Sequence, residues 1–436
     1  MSRRGDGGIR DYTWRDSELT TPPLRALNAV GARLARRGFV RPALTPESVM
    51  AAAAKAAGSD DFGSDSFREP LDRFLASCRD EAELTTFGRI LITKMLAAAL
   101  ANRIELHRWS ADHPAAPDER IVAPWIIVGL PRTGTSLLNN LLGLDPMNRN
   151  LLQWEAAHLI PPATLEEAAS DPRIARTAKE LDGLFKLNPP LRVMHPFGAT
   201  LAQECVSLFM YDVRTLALET QAHVPSYAHW LEQADMAPAY AQHTSALQAL
   251  QSVQPTERWV LKTPNHLWDL TALLAAYPDA RIVWTHRDPG PVVTSLASLA
   301  NGGQRPLTSR TDPRPAAEEW KRKCAFAIGS ATAYDERTGP GWCRHLHYEE
   351  LLADPVGAVR GLYAASAGRA GRAAAPGRLR PARLRPDRLR MDLRRPGRGV
   401  RRVHPALRRH HRRPVGACPR RADPLPWVGR VSRRAA

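Results

Sequence analysis

One stretch of this 436-residue chain constrains its fold more than any other: APWIIVGLPRTGTSLLNNLLGLDP, beginning at Ala123. Trp125 to Val128 is a short apolar run rich in β-branched residues and reads as a buried strand. Gly129 to Thr135 is a glycine-containing loop. From about Ser136 to Leu144 the apolar positions Leu137, Leu138, Leu141 and Leu142 repeat at helical spacing, until Asp145-Pro146 ends the helix. A strand that turns through glycines directly into a helix aims successive backbone N–H groups, and the positive end of the helix dipole, at one point. That is what an anion-binding loop requires, and the hydroxyls of Thr135 and Ser136 add donors. Against the nucleotide-triphosphatase pattern GxxxxGK[ST], Thr135 stands where the lysine would be, and Arg132 supplies a cation from inside the loop.

A second unit of the same kind lies at ARIVWTHRDPGPVVTSLASLA. It reads as a strand over Arg281 to Thr285, a turn over His286 to Pro291 and a helix from Val292. Arg287 at the strand end and Ser295 in the helix offer a guanidinium fork and a hydroxyl to a second anion. This strand runs into Thr285-His286-Arg287 rather than into an aspartate that could hold Mg²⁺, so the expected site reads anions with arginine and hydroxyls, without metal. Two anion sites on adjacent strand ends suit a nucleotide phosphorylated at both ends. A third strand is expected at Trp342 to His347, followed by one helix through YEELLADPVGAVRGLY. Strands alternating with helices predict an α/β protein with a central parallel sheet.

Upstream, residues 12–120 are helical in pattern, with Leu24, Leu27, Val30 and Leu34 in one stretch and Leu91, Met95, Leu96, Leu100 and Ile104 in another, separated by a Gly/Ser/Asp loop at Gly58 to Phe67. Residues 147–255 are mostly helical in pattern, punctuated by proline. Trp259, Trp268 and Trp284 read as core. Three regions are therefore expected: a helical region over 1–120, an α/β domain over 121–365, and a tail over 366–436.

The tail carries the charge. The chain's net charge is +17, but residues 366–436 hold 22 Arg against 3 Asp, leaving 39 basic and 41 acidic residues in the remainder. This segment has no Ile, Phe, Tyr, Asn, Gln, Thr, Lys or Glu and cannot build a core. It reads as extended and self-repelling: a basic arm for nucleic acid, a solvated extension, or an out-of-frame translation of a GC-rich gene, whose G/C-only codons give Arg, Pro, Ala and Gly. His404, His410 and His411 within it lack ligand spacing. Five scattered cysteines without CxxC spacing argue against a disulfide framework and against a zinc site. No secretory signal or bilayer-length apolar run is visible, so a cytoplasmic protein without a transmembrane segment is the expectation.

The paired loops resemble those of sulfotransferases that use 3′-phosphoadenosine 5′-phosphosulfate (PAPS), in the bacterial branch with a helical N-terminal extension. The RWVLKTPNHLWDL and HYEELLADP segments match as well. The resemblance, over residues 12–365, implies a P-loop-type three-layer fold. It implies that Arg132, Thr133, Gly134, Thr135 and Ser136 bind the 5′-phosphosulfate and that Arg287 and Ser295 bind the 3′-phosphate. It also implies that Arg132 and Lys262 stabilise the departing phosphate, with no metal ion. For the base that takes the acceptor's proton, His266, Glu155 and Glu204 are candidates in that order. The acceptor is open among lipid, glycan, peptide and small-molecule hydroxyls or amines. A P-loop kinase, and a nucleic-acid-binding protein acting through its tail, are the competing readings; no specific nucleic-acid partner is expected.

Overall fold

Every residue of β1 (Trp125–Gly129) is buried, as a continuous Trp-Ile-Ile-Val run requires when a strand is covered on both faces. In the computed structural model, which describes residues 22–40, 42–188, 191–194, 197–310 and 312–373, β1 is the centre of a five-stranded sheet. The other strands are β2 (Asn148–Asn150), β3 (Arg258–Lys262), β4 (Arg281–His286) and β5 (Cys343–His347). The order is β2-β3-β1-β4-β5 and every pairing is parallel. The expected parallel α/β fold is thus observed.

Register brings the chemistry to one edge. Gly129 at the end of β1 is level with Thr285 on β4, and Ile127 with Lys262, the last residue of β3. The connection leaving β1 leads to β2 at one edge, and the connection leaving β4 leads to β5 at the other. The outgoing chains of these two neighbours diverge, which opens a crevice outside their carboxyl ends, where ligands bind in sheets of this kind.

Among the described residues four α-helices precede the sheet: α1 (Pro22–Ala35), α2 (Pro46–Ala57), α3 (Arg68–Asp80) and α4 (Thr86–Asp112). The stripe Leu96, Leu100 and Ile104 of α4 is fully buried, whereas Leu27, Val30 and Leu34 of α1 are exposed, so only the second of the two apolar stripes is core. The Gly58–Phe67 segment is a loop ending in one 3-10 turn at Asp65–Phe67, held by the buried Arg103 of α4, which donates to the Phe62 and Ser64 carbonyls and to Asp212.

Between β1 and β3 run α5 (Thr135–Leu142), α6 (Gln153–Ala157), α7 (Pro172–Leu187), α8 (Leu191–Met194), α9 (Val206–Phe209), α10 (Pro225–Leu231) and α11 (Ala237–Val253). Beyond β3 come α12 (Leu270–Ala276), α13 (Pro289–Gln304), α14 (Arg314–Thr338), α15 (Tyr348–Ala353) and α16 (Pro355–Ala373). The helix expected from Val292 begins at Pro289, where Asp288 caps it by accepting from Gly290 N–H. The single helix expected after β5 is two, because Asp354 precedes Pro355 and is pushed out of helical geometry. Strands β2 and β3 fall in tracts whose sequence pattern predicts helix or no definite element. Runs of three and five residues carry too little periodicity to declare themselves. Trp259 and Trp284 are buried and Trp268 is partly buried against the core, as expected. Among the described residues Cys78, Cys205, Cys324 and Cys343 are buried and form no disulfide, and no helix is long and apolar enough to cross a membrane. The tail reading falls on residues 374–436, outside the described residues; α16 continues through Ala373, past the expected boundary at 366.

Candidate active site

The loop after β1 places two residues in left-handed backbone conformations, Arg132 at φ 70° and Gly134 at φ 89°. Left-handed residues in a tight turn rotate successive N–H groups toward a common concavity. Gly134 is also the N-cap of α5 and has no side chain to cap it, so the first-turn N–H groups face the loop's concave side. A Cβ at Gly134 would stand 3.0 Å from the side chains of Leu351 and Tyr348, so both shape and backbone call for glycine here.

Thr133 is 2% exposed and turned inward. Its hydroxyl donates to the Leu130 carbonyl (2.7 Å) and pairs with the hydroxyl of Thr285 (2.7 Å), tying the end of β1 to the end of β4. Of the residues assigned to the first loop, Thr133 thus spends its hydroxyl on a brace between the two loops. Thr135 and Ser136 face the other way and line a large cavity together with Pro131, Arg132 and Gly134.

Arg287 lines the same cavity. It donates to the Arg132 carbonyl (2.9 Å) and its guanidinium lies over the Tyr348 ring at 4.1 Å. The two loops are joined directly by this contact. Ser295 lies further along α13, half-buried, and does not line the cavity.

Lys262, at the tip of β3, is 2% exposed. Its ammonium donates to the Ser136 hydroxyl (3.3 Å) and pairs with Glu204 at 2.5 Å, while its carbonyl accepts from Cys205 N–H (2.9 Å). Ser136 and Glu204 both line the cavity, and Lys262 lies beneath them. Residues 126 and 58 positions away in sequence from Lys262 thus form one polar chain at the cavity floor.

His266 and Glu155 do not belong to this chain. His266 is fully buried, its Nδ1 paired with the Tyr240 hydroxyl at 2.9 Å, in an aromatic cluster with Phe209 and His243. Burial holds its imidazole well below the ordinary value, and neighbouring His243 pushes the same way. Glu155 is spent on structure: one oxygen accepts from Arg149 (2.7 Å) and the other from the Leu152 N–H (2.9 Å). Neither lines the cavity, whereas Glu204 does. What the sequence lacked was any local signal for Glu204, which sits in no periodic or glycine-marked segment, or for Tyr348, which supports Arg287.

The cavity has a volume of about 600 Å³. Away from the polar floor its walls are mostly apolar: Phe87, Leu91 and Met95 come from α4, Leu184 and Leu187 from α7, and Leu296 and Leu299 from α13, with Asn188, Thr220 and Gln221 among them. An arginine-bearing loop at a helix N-terminus and a second arginine on the neighbouring strand end open onto one largely apolar chamber, in an α/β fold of the P-loop type.

Residues 124–366 match the model of the sulfotransferase family. The chain belongs to that family. Sulfotransferase STF1 of Mycobacterium tuberculosis is similar in structure, with 32% identity and a TM-score of 0.69 over 74% of this chain and 88% of that one. Sulfotransferase STF9 of Mycobacterium avium is similar with 30% identity and a TM-score of 0.71 over 76% and 85% of the two chains. The omega-hydroxy-beta-dihydromenaquinone-9 sulfotransferase Stf3 of Mycobacterium bovis is 25% identical over 257 residues; the match covers 56% of this chain and 63% of that relative's length.

Proposed function

We propose that this protein transfers the sulfuryl group of PAPS to the hydroxyl of an apolar, lipid-like acceptor. The observation that carries the proposal is the shared cavity: the residues suited to phosphate and the residues suited to hydrocarbon line one chamber, with Glu204 at their junction. A glycan needs a polar lining throughout, because each buried hydroxyl left without a partner costs about 1–3 kcal/mol. A hydrocarbon chain needs the reverse. That a relative named for a hydroxylated menaquinone matches this chain supports the same acceptor class.

In this reading the concave loop and Arg132 hold the 5′-phosphosulfate, and Arg287, braced by Tyr348, holds the 3′-phosphate, with Ser295 further along α13 as its assigned partner. Glu204 accepts the proton of the acceptor hydroxyl. The acceptor oxygen forms the new S–O bond as the bond from sulfur to the 5′-phosphate oxygen breaks, and the electron pair leaves on that phosphate. Arg132 and the loop N–H groups stabilise the charge that develops there, a contribution of about 3–4 kcal/mol per well-placed donor. Lys262 does not line the cavity; it positions Ser136 and Glu204 and adds positive charge under the loop. The transferring group carries less charge than a phosphoryl group, so cationic side chains and N–H donors can serve the donor site without a divalent ion.

The test offers radiolabelled PAPS with an ω-hydroxylated polyisoprenoid, a monosaccharide and a tyrosine peptide in parallel. Label should pass to the polyisoprenoid alcohol. Transfer to the sugar or the peptide alone would overturn the acceptor assignment, and absence of 3′-phosphoadenosine 5′-phosphate binding in calorimetry would overturn the donor assignment.

A further inference from the structure

Outside the cavity, on the far side of β4, three potential metal ligands converge. Asp335 comes from the last turn of α14, and Cys343 and His345 from alternate positions of the edge strand β5. One ligand atom from each lies within 4.8 Å of the other two, and Cys343 Sγ is 3.5 Å from His345 Nε2. In a tetrahedral zinc site with Zn–S of about 2.3 Å and Zn–N of about 2.0 Å, an S···N edge of about 3.5 Å is what the geometry gives.

Two of the three ligands are also oriented from behind. The Trp342 indole N–H donates to Asp335 Oδ1 (2.6 Å), and His345 Nδ1 is paired with His286 Nε2 (2.8 Å). With the proton on Nδ1 and donated to His286, the lone pair of His345 is on Nε2, the atom that faces Cys343. Ligating histidines in metal sites are held in this way by their second nitrogen. Cys343 is buried while His345 is exposed, so the cluster is anchored from inside and reachable from solvent.

We propose that Asp335, Cys343 and His345 form a three-ligand site for a borderline divalent transition metal, Zn²⁺ foremost, with a fourth position left to water. One thiolate and one carboxylate balance the ion's charge, and binding releases the thiol proton. The site departs from the expectation drawn from cysteine spacing, since its ligands belong to a helix and a strand rather than to a CxxC knuckle. Its place in the fold suggests its use. It pins the edge strand to α14 across the glycine-bearing turn at Gly339–Gly341, and β5 leads directly into Tyr348, which packs beside Gly134 and under Arg287. The proposal is independent of the acceptor and donor assignments.

Cobalt serves as the spectroscopic probe. Metal-free full-length protein titrated with Co²⁺ should develop a thiolate-to-metal charge-transfer band at one equivalent, abolished by added Zn²⁺. The band should be lost in Cys343→Ala, and Co²⁺ affinity should fall at least about tenfold in His345→Ala and in Asp335→Asn. Zn²⁺ should raise the thermal midpoint of the parent but not of Cys343→Ala, which also shows that the variant is folded. A band that persists in both Cys343→Ala and His345→Ala, arising from the other cysteines or the tail histidines, would overturn the assignment, as would no band in the parent.

Discussion

Arg287 and Glu204 illustrate how differently two residues can depend on their surroundings. Arg287 is useful wherever a strand ends beside an anion loop, and its contacts with the Arg132 carbonyl and the Tyr348 ring hold the fork in place. Replacing it with alanine should remove charge-assisted contacts worth about 1.5–3 kcal/mol, so calorimetry with 3′-phosphoadenosine 5′-phosphate should show affinity lower by roughly 10- to 100-fold. Glu204 matters through its position against Lys262 and the cavity. Glu204→Gln should lower kcat by about 10²- to 10⁴-fold, the range of general-base loss, while nucleotide affinity stays near that of the parent. His266→Gln provides the contrast. It should leave kcat within a few-fold and instead lower the thermal midpoint, because its ring fills a buried aromatic cluster. A large loss of kcat in His266→Gln with unchanged stability would return the base to His266.

Two elements meet at the β1 loop, and their junction is set by glycine. Gly134→Ala must hold φ 89° with a Cβ 3.0 Å from the Leu351 and Tyr348 side chains. The left-handed conformation alone costs about 1–2 kcal/mol in a residue with a Cβ. Differential scanning calorimetry should show a lower midpoint, and nucleotide binding should weaken along with it, since the loop and the Tyr348 support shift together. Retention of both parent values would mean that the loop's concavity does not depend on Gly134. The strand and helix either side were legible because each carries its own pattern within about ten residues. Strand β2, Asn-Arg-Asn, carries none, and its identity comes from pairing with Arg258 to Val260 of β3. The break between α15 and α16 has a local sequence signal in Asp354-Pro355, which the apolar periodicity running across it masks.

For the whole molecule, the buried histidines His243 and His266 contribute to the response to acid. Burial alone pulls His243 down to about 3, and His266 is likewise held well below its ordinary value. An unfolded histidine titrates near pH 6.5. Between that value and the depressed folded values the unfolded state binds more protons, so the stability these groups contribute is complete above about pH 6.5 and is lost as pH falls. Each group adds a slope of up to about 1.4 kcal/mol per pH unit. Urea midpoints measured from pH 7 to pH 4.5 should fall steeply in the parent and less steeply in His243→Gln; parallel curves would remove His243 from the acid response.

By itself the sequence determined the parallel α/β class and the two loops, because glycines, β-branched runs and helix stops act over a few neighbouring residues through backbone sterics and hydrogen bonding. Arg132, Gly134, Thr135, Ser136 and Arg287 were named from that signal and meet at one cavity. Tertiary structure alone decided that Thr133 turns inward, that His266 and Glu155 are enclosed, that Glu204 faces the chamber and that its walls are mostly hydrocarbon. Those outcomes depend on which distant side chains bury or pair with one another, as Lys262 does with residues 58 and 126 positions away, and burial of that kind leaves no local trace in the chain.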